Sequence, residues 1–130
     1  MTALRATARL LTGSTYAVLG LDALRAPGGR PDQAAATLRA LRTVLPLPQD
    51  DEALVRANAG VQAAAGVLLA AGVLPRTAAL ALAGSMVPTT AAGHPFWQIA
   101  DPAARKAQRV QFHKNLAMIG GLLFAALDHD

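Results

Sequence analysis

The chain has 130 residues, no cysteine and a formal net charge of +4, and it is 53% hydrophobic and only 15% charged. That length fits one domain, residues 1–130, and the charged fraction lies below the roughly 25% usual for soluble proteins. The lack of cysteine excludes disulfides, thiolate nucleophiles and cysteine-ligated iron–sulfur clusters. Aromatic residues make up only 4% of the chain and are not interleaved with the basic ones, which argues against a nucleic-acid partner.

The first predicted helix spans residues 6–24 and ends before the Pro-Gly-Gly breaker at 27–29. It carries Arg9 near its start and Asp22 near its end. A signal peptide is the alternative interpretation, but the nearest pattern of small residues, at 26–28, lies beyond charged residues. We therefore expect a retained helix.

The connection that follows, residues 26–51, is the longest in the chain. A Pro-Asp pair at 31–32 can begin a short helix within it, and the Pro-Leu-Pro run at 46–48 ends that helix. One face carries the leucines at positions 38, 41 and 45. This pattern favours a helix that lies on a membrane surface, with an ordinary solvated loop helix as the alternative.

Two apolar segments joined at Pro75 are the most informative feature of the chain. The first is predicted as a helix over residues 53–74, after an acidic run at 50–52 that suits a helix N-terminus. The second begins after Pro75 and reaches about residue 92, with Pro88 as an expected kink near its end.

These two segments are almost free of charge. Neither residues 57–75 nor residues 77–99 contain a charged side chain, with His94 counted as neutral. A soluble amphipathic helix would carry charge along its wet face. The pattern therefore predicts a membrane hairpin, while a soluble helical interaction domain with alanine-rich core helices stays open as an alternative.

The last predicted helix spans residues 110–127 and has Lys114 and Asn115 in its first turns. Predicted helices of about 17 to 22 residues are about 26 to 33 Å long, which matches a hydrocarbon core of about 30 Å. The sequence therefore predicts an all-α fold, a four-helix transmembrane bundle of up-and-down topology, with a short interfacial helix between spans one and two.

Glycine and polar residues recur within the predicted spans. Glycine lets helix backbones approach closely in lipid, so we expect helix packing at Gly60, Gly66, Gly72, Gly84, Gly120 and Gly121. Polar side chains in lipid seek other helices, so we expect interhelical contacts from Asn58, Gln62, Thr89, Thr90 and Asn115. Contact with a ligand, or a path through a small transporter, is the alternative for these polar positions.

A candidate quinone or polar site comprises His94, Trp97, Lys114 and Asp22. An imidazole that titrates near neutrality can exchange a proton with a carbonyl ligand, and the up-and-down order places the end of span one on the same side. The alternative is an aromatic belt with a lysine that snorkels to the interface. Catalytic residues stay unassigned, and no metal or other cofactor is expected, with quinone as the one candidate ligand.

Several short motifs occur together along the chain: Gly20-Leu21-Asp22, Asn58, Gly60, Gln62, the run 66–72, Leu74-Pro75-Arg76, Pro88-Thr89-Thr90, Gly93-His94-Pro95-Phe96-Trp97, the run 112–121 and Asp128. In these motifs the chain resembles the DoxX family of small bacterial membrane proteins. The resemblance implies an integral membrane fold of four helices and, for some members, a role as the membrane subunit of a quinone-linked oxidoreductase.

We accordingly expect a subunit that anchors a redox partner or presents quinone to it, and that is at most part of an enzyme. A small membrane transporter or permeability factor is the alternative. Expected partners are membrane lipid, a redox subunit and a second copy of the chain.

Charge distribution predicts the orientation of such a multi-pass protein in the bacterial plasma membrane. Three basic residues lie on the side of the termini: Arg5, Arg9 and Arg76. Nine lie on the side of the two longer connections: Arg25, Arg30, Arg39, Arg42, Arg56, Arg105, Lys106, Arg109 and Lys114. Positive residues favour the cytoplasm, so both termini are expected outside.

Overall fold

The computed structural model describes residues 2–129, and no strand occurs among them. The helices are α1 (Thr2–Arg25), α2 (Arg30–Arg42), α3 (Asp51–Ala71), α4 (Pro75–Gly93) and α5 (Pro102–Leu127), with a 3-10 turn at Phe96–Gln98 before α5. The prediction of an all-helical chain is confirmed.

Local signals in the sequence explain where these helices begin and end. Asp50 caps α3 by accepting a hydrogen bond of 3.1 Å from the amide of Ala53. Asp101 caps α5 in the same way, 2.9 Å from the amide of Ala104, and Pro102 occupies the first helical turn. Helix α5 therefore begins well before residue 110, where the apolar pattern starts.

The four longer helices run alternately up and down. Helix α1 packs on α3, α3 on α4, and α4 on α5. The start of α3 meets the end of α1, because the Arg56 guanidinium donates to the carbonyl of Leu24 at 3.1 Å. The start of α4 likewise meets the end of α5, because Arg76 Nε donates to the carbonyl of Ala126 at 2.8 Å.

The core lies between these helices and is made of leucine, alanine and a few larger side chains. Leu69, Leu82 and Leu122 are completely buried and come from α3, α4 and α5. Tyr16 adds a buried ring from α1, and Met86 packs in the same cluster. Every long helix therefore contributes to one core.

Helix α2 forms in the long connection, as predicted, and packs on α3 and α4. Its Arg42 guanidinium lies 2.6 Å from the Asp51 carboxylate at the start of α3. Ala34 is the buried residue of this helix, whereas Leu45 lies beyond the helix end and is exposed. The predicted leucine face is thus shorter than expected, and a location at the membrane surface stays a prediction.

Among the described helices, α3 and α5 are long and apolar enough to cross a membrane. Only 28% of the apolar stretch of α3 and 11% of that of α5 are buried within the protein. A soluble core helix buries most of its apolar surface, so these low fractions favour lipid around the helices. Membrane crossing by α1 and α4 stays a prediction.

The glycines predicted at helix contacts lie in different surroundings within the described chain. A Cβ atom on Gly66 would lie 2.5 Å from the Ala17 amide nitrogen, so α1 and α3 approach closely there. Gly72 instead ends α3, with a positive φ of 72°. A Cβ atom would meet no other group of the described chain within 4 Å at the remaining predicted positions: Gly60, Gly84, Gly120 and Gly121.

The close approach depends on two glycines of α1 that the sequence analysis did not select. Gly13 lies against the backbone of Gly66 and Ala70, and Gly20 lies against that of Ala59 and Ala63. Their spacing of seven residues puts both on one face of α1. Glycine spacing within α1 was the signal that could have identified this interface.

Candidate site at the end of helices α4 and α5

His94 lies at the point where α4 ends. Its amide donates to the carbonyl of Thr90 at 3.0 Å, and its φ of −133° takes the chain out of the helix. The ring Nδ1 lies 2.7 Å from Gln108 Oε1, on the first turns of α5. The helix end and its contact with α5 therefore hold the imidazole in place.

The proton on this imidazole follows from its partner. With the Gln108 amide assigned so that its oxygen faces the ring, that oxygen can only accept. Nδ1 then carries the hydrogen, and Nε2 is left with the lone pair. An imidazole in this form can accept a hydrogen bond at Nε2.

Three aromatic rings lie next to this contact. Phe96 and Trp97 belong to the 3-10 turn, and Phe112 belongs to α5. Their centroids are 5.2 to 5.8 Å apart, and each pair meets edge to face. Trp97 is 52% exposed, so part of its ring surface is open to a lipid or a ligand.

The other two predicted site residues do not join this cluster. Lys114 is exposed on α5, and Asp22 is exposed near the end of α1, which packs on α3. No ion pair connects Asp22 with Lys114 among residues 2–129. The up-and-down order puts these residues at the same end without putting them in contact.

The predicted polar positions form a hydrogen-bond network between α3 and α4. Asn58 Nδ2 donates to Thr89 Oγ1 at 2.7 Å, and Asn58 Oδ1 accepts from Ser85 Oγ at 2.7 Å. Gln62 Nε2 donates to Ser85 Oγ at 3.0 Å and to Thr89 Oγ1 at 3.1 Å. These side chains bond to one another, which is the arrangement expected of a helix-to-helix connection.

A hydrogen bond between side chains connects α4 with α5 near the same end of the bundle. Asn115 Nδ2 donates to the buried Thr90 hydroxyl at 3.2 Å. Together with the contact between His94 and Gln108, it fixes α5 against the end of α4. Polar side chains thus determine the register of this helix pair near the candidate site.

Sequence reasoning missed three residues that the structure brings into these clusters. Ser85 lies four residues before Thr89, so the two share a face of α4, and that spacing was a usable signal. Gln108 and Phe112 are also four residues apart and share a face of α5. Gln108, however, lies before residue 110 and so outside the helix predicted from hydropathy. Among residues 2–129, no group of three or more His, Asp or Glu side chains is arranged to hold a metal ion.

Comparison with known protein families gives one match. A family model described as DoxX matches residues 4–95 of the chain. The match includes His94 and the polar network between α3 and α4, and ends before Trp97 and α5. Comparisons with curated proteins and with solved structures gave no match.

Proposed function

The chain belongs to the DoxX family, and we propose that it is a four-span subunit of a quinone-linked oxidoreductase in the bacterial plasma membrane. In this role it anchors a redox partner and presents quinone at the His94 site. Two observations support membrane insertion: the family, and the largely unburied apolar surfaces of α3 and α5. The partner supplies the redox cofactors.

The contact between His94 and Gln108 beside open aromatic rings is the observation that carries the quinone proposal. A quinone has a flat ring, which aromatic side chains can contact, and two carbonyl oxygens, which need hydrogen-bond donors. Protonated His94 can donate to such an oxygen, and the neutral ring can accept a proton from the reduced ligand. Gln108 keeps the imidazole oriented during this exchange.

The proposed orientation has both termini outside and the two longer connections in the cytoplasm. It rests on the excess of basic residues in those connections. Alkaline phosphatase fused after Leu127 is expected to be active, since that enzyme matures outside the cytoplasm. Activity of a fusion in the connection between α1 and α3, with none after Leu127, would reverse the proposed orientation.

Quinone binding can be measured through Trp97, since it is the single tryptophan of the chain. A short-chain quinone is expected to quench its fluorescence saturably in purified protein, and His94→Gln is expected to weaken binding by roughly tenfold, the effect of about 1.4 kcal/mol. His113→Gln is the matched control, because His113 is exposed and contacts the carbonyl of Arg109.

Equal weakening in both histidine variants, or in neither, would contradict the quinone site. The anchor role has a separate test, which is whether a redox protein co-purifies with the chain in mild detergent. Without such a partner, the proposed role in an oxidoreductase complex would be wrong.

A further inference from the structure

One exposed face of α5 is basic in its first turns and apolar further along. Its basic members are all exposed, and its leucines at positions 116 and 123 are 45% and 46% exposed. Neighbouring members lie three, four or seven residues apart, a spacing that puts them on the same side of a helix. We call this surface the outer face of α5, and it comprises Arg105, Lys106, Arg109, Leu116, Gly120 and Leu123.

The basic end of the outer face has little negative charge around it. Asp101 caps α5, and no further acidic residue follows within the helix. Helix α5 packs on α4 and on the 3-10 turn, and neither contains an acidic residue. Arg105 bonds to a backbone carbonyl through Nε, whereas the side chains of Lys106 and Arg109 form no hydrogen bond or ion pair within residues 2–129. These two cations are therefore available to an anionic ligand.

The two cations lie at headgroup level when α5 crosses a membrane. The span predicted over residues 110–127 is about 27 Å long, close to the thickness of a hydrocarbon core of about 30 Å. Arg109 directly precedes that span, and Lys106 lies about one turn before Arg109. Both side chains therefore reach the layer in which lipid phosphates lie.

The outer face then continues into the hydrocarbon layer. Between Leu116 and Leu123, a Cβ atom on Gly120 would meet no other group of the described chain within 4 Å, so the helix backbone is uncovered there. A lipid with an anionic headgroup matches both parts of the face, because its acyl chain can lie along the apolar part. A soluble acidic protein would cover the basic part alone.

We propose that the outer face of α5 binds an anionic phospholipid, with its phosphate on Lys106 and Arg109 and an acyl chain along the leucines of that face. Guanidinium and ammonium groups form charge-assisted hydrogen bonds with phosphate oxygens. Basic side chains beside a membrane span attract anionic headgroups for this reason. The proposal rests on membrane insertion of the chain and is independent of quinone binding.

Trp97 can report which lipids lie at this end of α5. It is the single tryptophan of the chain, and its ring centroid lies 5.8 Å from that of Phe112, three residues after Arg109. The purified full chain is placed without quinone in dioleoylphosphatidylcholine vesicles that contain a fixed fraction of brominated phosphatidylglycerol or brominated phosphatidylcholine. Bromine on an adjacent acyl chain quenches indole fluorescence. We expect the relative binding constant to favour the anionic lipid by at least about fivefold.

Lys106→Gln combined with Arg109→Gln is expected to abolish that preference. Both side chains are exposed and form no bond within the described chain, so the fold does not depend on them. Arg25→Gln combined with Arg39→Gln is the matched control, because it removes the same charge from exposed positions on α1 and α2. This control is expected to keep the preference.

Equal quenching by the two brominated lipids in the parent protein would overturn the proposal, and an acidic protein surface would then be the partner that the basic residues fit. A preference that survives in the Lys106 and Arg109 double variant, or that is lost equally in the control, would overturn it too. Inorganic phosphate should affect the preference no more than sodium chloride of equal ionic strength, and a specific loss with phosphate would assign a free anion to the site. Quenching by neither lipid would contradict membrane insertion itself, which distinguishes that failure from failure of the lipid site.

Discussion

The two faces of α3 join their neighbours in opposite ways. Toward α1, backbones touch through Gly66, Gly13 and Gly20. Toward α4, the amides of Asn58 and Gln62 bond to hydroxyl groups across the interface. In lipid, helices gain little from the hydrophobic effect, so close backbone packing and interhelical hydrogen bonds are the two ways left to hold them together.

The two interfaces therefore respond to different substitutions. At the α1–α3 interface there is no room for added atoms, and shape decides stability. At the α3–α4 interface the side chains can change size, but their donors and acceptors have to stay paired.

The largest effect is expected from Gly66→Leu. A Cβ atom at this position already lies 2.5 Å from the Ala17 amide nitrogen, so α1 and α3 would have to separate. Overpacking typically costs about 1–3 kcal/mol, and contact with backbone puts this case at the upper end. The midpoint of thermal unfolding in detergent measures it.

Gly120→Leu is the control for this prediction. A Cβ atom on Gly120 meets no other group of the described chain within 4 Å. The variant should unfold at nearly the same temperature as the parent. A large loss of stability in both variants, or in neither, would mean that close approach at Gly66 does not hold α1 on α3.

A smaller effect is expected from Gln62→Leu. The change removes the donor that Ser85 and Thr89 accept from, while the apolar side chain fills a similar volume. Interhelical hydrogen bonds in membranes are worth about 0.6 kcal/mol on average and up to about 1.7. We expect a loss in that range, measured by unfolding in detergent, and Gln111→Leu on the exposed side of α5 serves as the control.

A double-mutant cycle with Ser85→Ala makes this prediction sharper. If Gln62 stabilises the protein through Ser85, the two losses are less than additive. Fully additive losses would show that Gln62 does not stabilise the protein through Ser85, and its bond to Thr89 would then be the remaining hydrogen bond between Gln62 and α4 to test in the same way.

The smallest effect, and one of opposite sign, is expected from Tyr16→Phe. The Tyr16 hydroxyl is buried on the α1 side of the core and has no hydrogen-bond partner among the described residues. Burial of an unpaired hydroxyl is unfavourable, so its removal should leave stability unchanged or raise it slightly. A lower unfolding temperature for Tyr16→Phe would reveal a polar contact at the α1–α3 interface.

Most of the fold could be predicted because its signals are local. Proline, glycine and aspartate mark the helix ends, as Asp50 and Gly72 do for α3. The polar positions could be predicted too, since an amide in a charge-free apolar helix needs a partner. Their partners could not, because Ser85 becomes a hydroxyl donor to Asn58 only when α3 and α4 take one particular register.

The candidate site was only partly predictable for the same reason. His94 and Trp97 could be selected from the sequence because they lie at the end of a long apolar run. Gln108 lies in a stretch rich in charge before residue 110, where hydropathy predicts no helix, and α5 includes it because the helix begins after Asp101. Asp22 was expected near the site because the up-and-down topology places it at the same end of the bundle. Topology does not determine which side of α1 a residue lies on, so it could not show that Asp22 and the site are apart.

The helices, their order and the family could be predicted from the sequence, because proline, glycine, capping residues and charge-free runs act within a few residues of their own position. Which glycines lie at contacts depends instead on the tertiary packing. Gly13 and Gly120 look alike in sequence, yet one touches a neighbouring backbone and the other faces open space. The rotation of each helix about its axis makes that difference, and it depends on how all four long helices pack together.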